Sequence, residues 1–346
     1  MNSQMMAAVL YGKEHLQVEP VAIPQIGSQD ILVRVKVALT CGTDVKVFRR
    51  GYHARMIVPP AVFGHELAGD VVAVGEDVRE FRPGQRVVAA NSAPCDECFF
   101  CVRGLENLCE DLLFNNGAYA EYIRIPGRIV KRNTYLIPSR VSYHDAALVE
   151  PLACVLRGFE ETGPHPGDTI SIIGLGPIGL MFVKLAKLAG CRVIAVGRRK
   201  QQLDRAASLG ADELIEAPSD SDPVPAIRRL THGRGVDIAM EAVGKPQTWH
   251  WAVDMVRRGG TVNFFGGCPN ESKVSLDTAL LHYSEITCKA TFHHTPAYIR
   301  KALDLICAGH VTASFFVNRE EPLANLLEVM RHLMSHNGHL KTAILP

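Results

Sequence analysis

The chain has 346 residues, with 37 lysines and arginines against 36 aspartates and glutamates, a formal net charge of +1. That balance excludes a broad basic surface for nucleic acid or for an anionic membrane. Apolar residues make up 47% of the sequence, which excludes a disordered chain, and the length favours two domains over one core.

The start, MNSQMMAAVLYGKEHLQVEP, has no basic segment followed by an apolar one, and no apolar run is long enough to span a bilayer. The expectation is a cytoplasmic protein whose thiols stay reduced. Residues 1–90 read as strands and turns with little helical period. DILVRVKVALT alternates apolar and polar residues before CGTD, which places Cys41 at a strand end and Thr43 two residues on. LAGDVVAVG and GQRVVAA are further β-rich runs. FGHELAGDVVAVG sets His65 and Glu66 side by side in a glycine-flanked loop.

PCDECFFCVRGLENLC then places Cys95, Cys98, Cys101 and Cys109 in one short stretch. Disulfides would suit a short secreted chain, and this is neither. The spacing points to metal. A DNA-binding zinc module would need a basic recognition element nearby, whereas CDECFFCVRGLENLCEDLL is acidic. Cys154, Cys191, Cys268, Cys288 and Cys307 are scattered in apolar sequence and read as small buried hydrophobes. LVEPLAC places Glu150 where the texture of the chain changes. Thiolate, imidazole and carboxylate are the common protein ligands of zinc, although singly Cys41, His65 and Glu150 also read as a buried cysteine, a core histidine and a surface glutamate.

From about residue 150 strands and helices alternate, the signature of a parallel sheet covered by helices. SIIGLGPIG gives Gly174, Gly176 and Gly179 around Leu175, Pro177 and Ile178, between an apolar strand and a helix. Gly174 permits the tight turn, Gly176 lets backbone approach a pyrophosphate, and Gly179 permits close packing of helix on strand. The next strand, RVIAV, ends at Val196 and is followed by Gly197, Arg198, Arg199 and Lys200. The acid that binds the ribose 2′-hydroxyl of NAD is absent there, and two arginines suit a 2′-phosphate, so NADP is expected over NAD. PAYIRKALDLICAGH and PLANLLEVMRHLMSHNG read as amphipathic helices, and LKTAILP as a closing strand.

Taken together, GHELAGDVVAVG, CGTD, the cysteine stretch with Gly104 and Asn107, EPLAC and GLGPIG resemble, in order, the motifs of the medium-chain dehydrogenase/reductase superfamily. The resemblance covers essentially the whole chain. Glu150, where the alcohol dehydrogenase branch usually carries cysteine, makes it similar to the polyol (sorbitol) and threonine dehydrogenase branch. The implied fold is α/β: a doubly wound Rossmann domain, 153–291, inserted in a mainly β GroES-like catalytic domain, 1–152 and 292–346, with the active site in the cleft between them. The resemblance implies a structural zinc on the four cysteines of the 91–112 lobe. It implies a catalytic zinc on Cys41, His65 and either Glu66 or Glu150.

The implied reaction is hydride transfer from a secondary alcohol (a polyol, cyclitol or diol) to NAD(P), giving a ketone. Thr43 matches the position that takes the proton first. The next relay position, a histidine in many relatives, is Lys46, an amine that suits the relay only when desolvated. Water, the cofactor ribose or His53 would substitute. TFHHTP places His293 and His294 where polyol-active relatives often carry an arginine, which argues against assuming sorbitol. The alternatives are an L-threonine 3-dehydrogenase or butanediol dehydrogenase and, more remotely, a non-catalytic NAD(P)-binding protein. The resemblance also implies a homodimer or homotetramer, with RGGTVNFFGG and VSLDTALLHYSEITCKATF as contributors to the interface.

Overall fold

The computed structural model describes residues 3–53, 56–218, 221–335 and 340–346. It forms two compact units, Met1–Ala153 with His294–Pro346, and Cys154–His293. One boundary falls inside the helix Val149–Glu160.

In the first unit the alternation of Ile31–Leu39 buries Ile31, Val33, Val35 and Val37 and leaves Arg34 exposed. This strand pairs antiparallel with Glu66–Val74 on one side and with Lys341–Leu345 on the other. Arg86–Ala89 and Thr134–Leu136 continue the sheet beyond Glu66–Val74, and Val317–Pro322 lies parallel to Lys341–Leu345. The last strand of the chain thus pairs with the first strand of this sheet, which brings Lys341 beside Thr40. A second sheet joins Gln4–Gly12, His15–Ala22 and Ala61–Val62.

Two expectations need correction here. Cys41 does not end a strand; it caps the helix Gly42–Arg50, which closes at Gly51 with φ +89°. Three buried positions in nine residues, Asp44, Val47 and Phe48, are too short a signal to read as helical period. Of the five scattered cysteines only Cys191 is buried. Cys288 is exposed because its strand, Thr287–Ala290, is the edge of a sheet. The helix Pro296–Cys307 and the strand Lys341–Leu345 lie where the sequence puts them. The last helix runs Leu326–Ser335, entered from the strand end at Pro322 through a 3-10 turn, Leu323–Asn325, and residues 336–338 of its expected span lie outside the described residues.

The second unit is a six-stranded, all-parallel sheet: Glu213–Glu216, Arg192–Gly197, Thr169–Ile173, Val236–Glu241, Val256–Phe264, Thr287–Ala290. Counted along the chain this is order 3-2-1-4-5-6, the doubly wound arrangement whose ligand crevice opens where the order reverses, between the first and fourth strands. All five residues of Thr169–Ile173 are buried, as a central strand covered on both faces requires. The expected interface segments separate here. RGGTVNFFGG carries a core strand, with Val262 and Asn263 fully buried. The helix Thr278–Tyr283 has no buried residue, and Tyr283 is 80% exposed. Among the described residues no helix is long and apolar enough to cross a membrane.

Candidate functional site

The ligating atoms of Cys41, His65 and Glu66 lie within 4.8 Å of one another in the first unit. Cys41 arrives as a helix cap, its Sγ accepting from the Thr43 N–H at 3.4 Å while Asp44 Oδ2 accepts from the Cys41 N–H at 3.0 Å. His65 directly precedes the strand Glu66–Val74. Its Nδ1 is 3.0 Å from Asp44 Oδ1, an arrangement that fixes the ring and leaves Nε2 to ligate. Burial opposes a charged His65, but the neighbouring Asp44 and Cys41 outweigh it and raise its pKa well above the usual value. A half-buried thiol and the carboxyl groups of Asp44 and Glu66 around one imidazole make the donor set that a zinc ion fits.

Lys341 closes the far side. Its Nζ is 2.6 Å from both Glu66 oxygens and donates to the Thr40 carbonyl at 3.1 Å, with both charged groups buried. Burial pushes the Glu66 carboxyl up to about 7 against the pull of Lys341, and the charge of Glu150 adds to the rise. Burial opposes the Lys341 charge, but Glu66 outweighs it and holds the ammonium above its ordinary range. Glu150 is buried rather than at the surface, and its Oε1 is 4.0 Å from His294 Nε2. It does not join Cys41, His65 and Glu66 in one cluster of 4.8 Å. Thr43 is half-buried on the Cys41 helix, and Lys46, one turn on, is exposed. His53 Nδ1 accepts from the Met56 N–H at 3.1 Å.

The four cysteines of the lobe converge as well. Sγ separations are 3.4 Å for Cys95–Cys109, 3.9 Å for Cys98–Cys109 and 4.0 Å for Cys95–Cys101. Four sulfurs about 2.3 Å from a central zinc, at tetrahedral corners, are about 3.8 Å apart, so the lobe fits a closed site. Backbone N–H groups of Glu110 and Cys101 lower the Cys98 thiol to about 6, while burial raises Cys101 to about 12. A cation among them lets the buried thiols ionise together.

In the second unit Gly174 has φ +94°. A Cβ on Gly179 would lie 1.7 Å from the Gly174 carbonyl oxygen, so helix and strand touch there. A Cβ on Gly176 would meet nothing within 4 Å. Gly176 caps the helix Pro177–Leu188 with no side-chain hydrogen bond to its first turn, the kind of helix start that suits a pyrophosphate. Ile178 follows Pro177 in that first turn. The strand Arg192–Gly197 runs one residue beyond Val196, Arg198 is exposed, and Arg199 caps the helix Lys200–Ser208.

Residues 27–134 match the alcohol dehydrogenase GroES-like domain and 177–308 the zinc-binding dehydrogenase family. The sorbitol dehydrogenase of Bacillus subtilis is 31% identical over 99% of this chain and 97% of its own. This chain belongs to the zinc-dependent medium-chain dehydrogenases. It is an oxidoreductase of their polyol and threonine dehydrogenase branch. The L-threonine 3-dehydrogenase of Bacillus licheniformis is 34% identical over 73% of each chain. A Sinorhizobium meliloti protein described as a zinc-binding dehydrogenase, solved bound to NADP, superposes with a TM-score of 0.89 at 29% identity over 100% of both chains.

Sequence reasoning missed two functional neighbours in this dehydrogenase. Asp44 stands three residues after Cys41 in CGTD, the spacing of a capping box, and that signal was available. Lys341 carried none: nothing in LKTAILP announces a buried ammonium.

Proposed function

We propose that this dehydrogenase oxidises a secondary alcohol of a polyol, cyclitol or diol to a ketone, with NADP as the preferred acceptor and Cys41 and His65 holding the catalytic zinc. The observation that carries the reading is the convergence of half-buried Cys41 with buried His65 and Glu66 beside Asp44. Zinc held there would supply Lewis-acid polarisation of the substrate hydroxyl, and a nicotinamide held at the glycine turn would supply the hydride acceptor. Asp44 holds the His65 ring by Nδ1. The third donor is a glutamate, Glu66 or Glu150; Lys341 balances the charge of the first. Thr43 takes the hydroxyl proton at Oγ1. Lys46 stands in solvent, so the proton leaves through water, the cofactor ribose or His53.

Gly174, Gly176, Pro177, Ile178 and Gly179 form the turn that receives the pyrophosphate, and Arg198 with Arg199 receives the 2′-phosphate. Support for the second assignment is the absence of an acid at Gly197, where a Cβ would meet Leu175 Cδ1 at 2.7 Å, and the NADP in the S. meliloti structure. Cys95, Cys98, Cys101 and Cys109 hold a structural zinc. The domain limits 1–152, 153–291 and 292–346 draw support from the two compact units. The exposed helix Thr278–Tyr283 and edge strand Thr287–Ala290 suit a homodimer or homotetramer contact, and the cytoplasm is the proposed location.

The test follows reduced-nicotinamide absorbance with NAD and NADP against polyols, cyclitols, diols and L-threonine, before and after chelation. Turnover should be lost on chelation. Arg198→Ala should lower kcat/KM for NADP roughly 10–100-fold, the range of a lost charge-assisted bond, and leave NAD unchanged. Chelator-insensitive turnover would refute the zinc reading, and a higher kcat/KM with NAD would refute the cofactor preference. The B. licheniformis relative favours a second reading, an L-threonine 3-dehydrogenase, which turnover of L-threonine above every polyol would establish.

A further inference from the structure

Tyr119 is fully buried and among the largest such side chains in the molecule. It grips both segments that carry the candidate zinc ligands. Its hydroxyl donates to Asp44 Oδ2 at 2.6 Å, with the Leu39 carbonyl at 3.1 Å. Its ring lies against Gly64, the residue before His65: a Cβ on Gly64 would come within 2.5 Å of Tyr119 Cδ2. Its backbone N–H donates to the Phe63 carbonyl at 2.9 Å, and the Gly64 carbonyl accepts from Gly117 at 2.9 Å and Ala118 at 3.1 Å.

The hydroxyl has a definable task. A carboxylate swings easily about its last torsion, so one bond does not fix its plane. Asp44 receives the Cys41 N–H and the Tyr119 O–H at Oδ2 and the His65 ring at Oδ1. Two donors on one oxygen lock the other oxygen toward Nδ1. The phenol keeps its proton at neutral pH and so donates throughout the working range.

We infer that Tyr119 is a positioning residue of the metal centre, its hydroxyl fixing Asp44 so that His65 presents Nε2 to the ion. This rests on the reading that Cys41 and His65 hold zinc. The ring packing alone would make Tyr119 a core residue; the bond to Asp44 makes it part of the site.

Zinc titration of the full-length enzyme against a competing chelator tests the inference, with Cys41→Ser as the blank that isolates the centre from the cysteine lobe. Tyr119→Phe keeps the ring against Gly64 and removes the hydroxyl. Support for a metal-bound histidine is typically worth 10–100-fold in affinity, so Asp44→Asn should weaken the centre by about that much and Tyr119→Phe by about 3–10-fold. The double variant should match Asp44→Asn within about twofold, because the hydroxyl acts through that carboxylate. With cobalt in place of zinc, the absorption bands lost in Cys41→Ser should shift in Tyr119→Phe. An unchanged affinity and spectrum, or the same loss with and without Asp44, would overturn the role of Tyr119. If the wild type and Cys41→Ser bind the same zinc with the same affinity, the reading of the centre fails instead.

Discussion

The nucleotide turn of the second unit and the metal centre of the first are built in opposite ways. The turn is six consecutive residues, Gly174–Gly179, whose shape follows from one positive φ and one backbone contact. The centre draws Cys41, Asp44, His65, Glu66, Tyr119 and Lys341 from a helix cap and its first turn, two strand starts and a loop. Its supporting bonds span 75 residues for Tyr119–Asp44 and 275 for Lys341–Glu66. A local device needs only its own strand and helix. The distant one exists only when the whole sheet has its strand order, so its failures are failures of the unit's core.

The largest effect should come from Lys341→Met. It leaves the Glu66 carboxylate buried and unpaired, and breaking a buried pair from one side costs about 3–5 kcal/mol. Far-UV circular dichroism in urea would show that loss, accompanied by loss of activity. The two tryptophans of the chain, Trp249 and Trp251, both lie in the helix Pro246–Met255 of the second unit, so their emission reports on that unit. A variant as stable as the wild type would mean that Glu66 stays neutral or finds another partner, and that the distant construction is less exacting than its geometry implies.

The same contrast governs what could be read from sequence. Strands such as Ile31–Leu39, the glycine turn and the four-cysteine lobe are legible because their determinants are periodicity, φ and short spacing. Cys41, His65 and Glu66 were legible as residue types in motifs, and Asp44 was legible as a capping partner. Tyr119 and Lys341 were not, since a buried tyrosine in GAYAEY and a lysine in LKTAILP look like any others until sheet order sets them beside the ligands. The helix Gly42–Arg50 was hidden for another reason: two and a half turns with three buried positions give too little period.

A smaller effect, confined to the other unit, should come from Gly179→Ala. The added Cβ has the Gly174 carbonyl oxygen 1.7 Å away and must push the helix Pro177–Leu188 off its strand. Overpacking of this kind costs about 3 kcal/mol. Fluorescence titration with reduced dinucleotide should show weakened binding while zinc content holds. Dinucleotide affinity equal to wild type would show that the turn tolerates a wider helix–strand spacing than this contact allows.

The smallest effect sets the lower limit of the comparison. Asp237 stands at the start of the fourth strand of the parallel sheet and ties two neighbours: its Oδ1 accepts from Arg257 Nε at 2.6 Å and its Oδ2 from the Thr169 N–H at 2.7 Å. Burial raises its pKa, but Arg257 and the Thr169 N–H outweigh burial and hold it below the usual carboxylate range. Asp237→Asn keeps one acceptor and turns an amide N–H toward the other donor, a loss of about 1–2 kcal/mol for a partly solvated group. A carboxyl whose folded pKa is depressed binds fewer protons folded than unfolded between the two values, so its contribution is complete above about pH 4 and disappears as pH falls through the depressed value. Tryptophan emission in urea should therefore give a constant gap between wild type and variant from about pH 8 to pH 5, narrowing below about pH 4. A gap that widens in acid would reverse the sign and place the stabilisation on a protonated Asp237. Because both of its bonds lie within one sheet, the change should leave zinc affinity untouched, as a local device in the second unit requires.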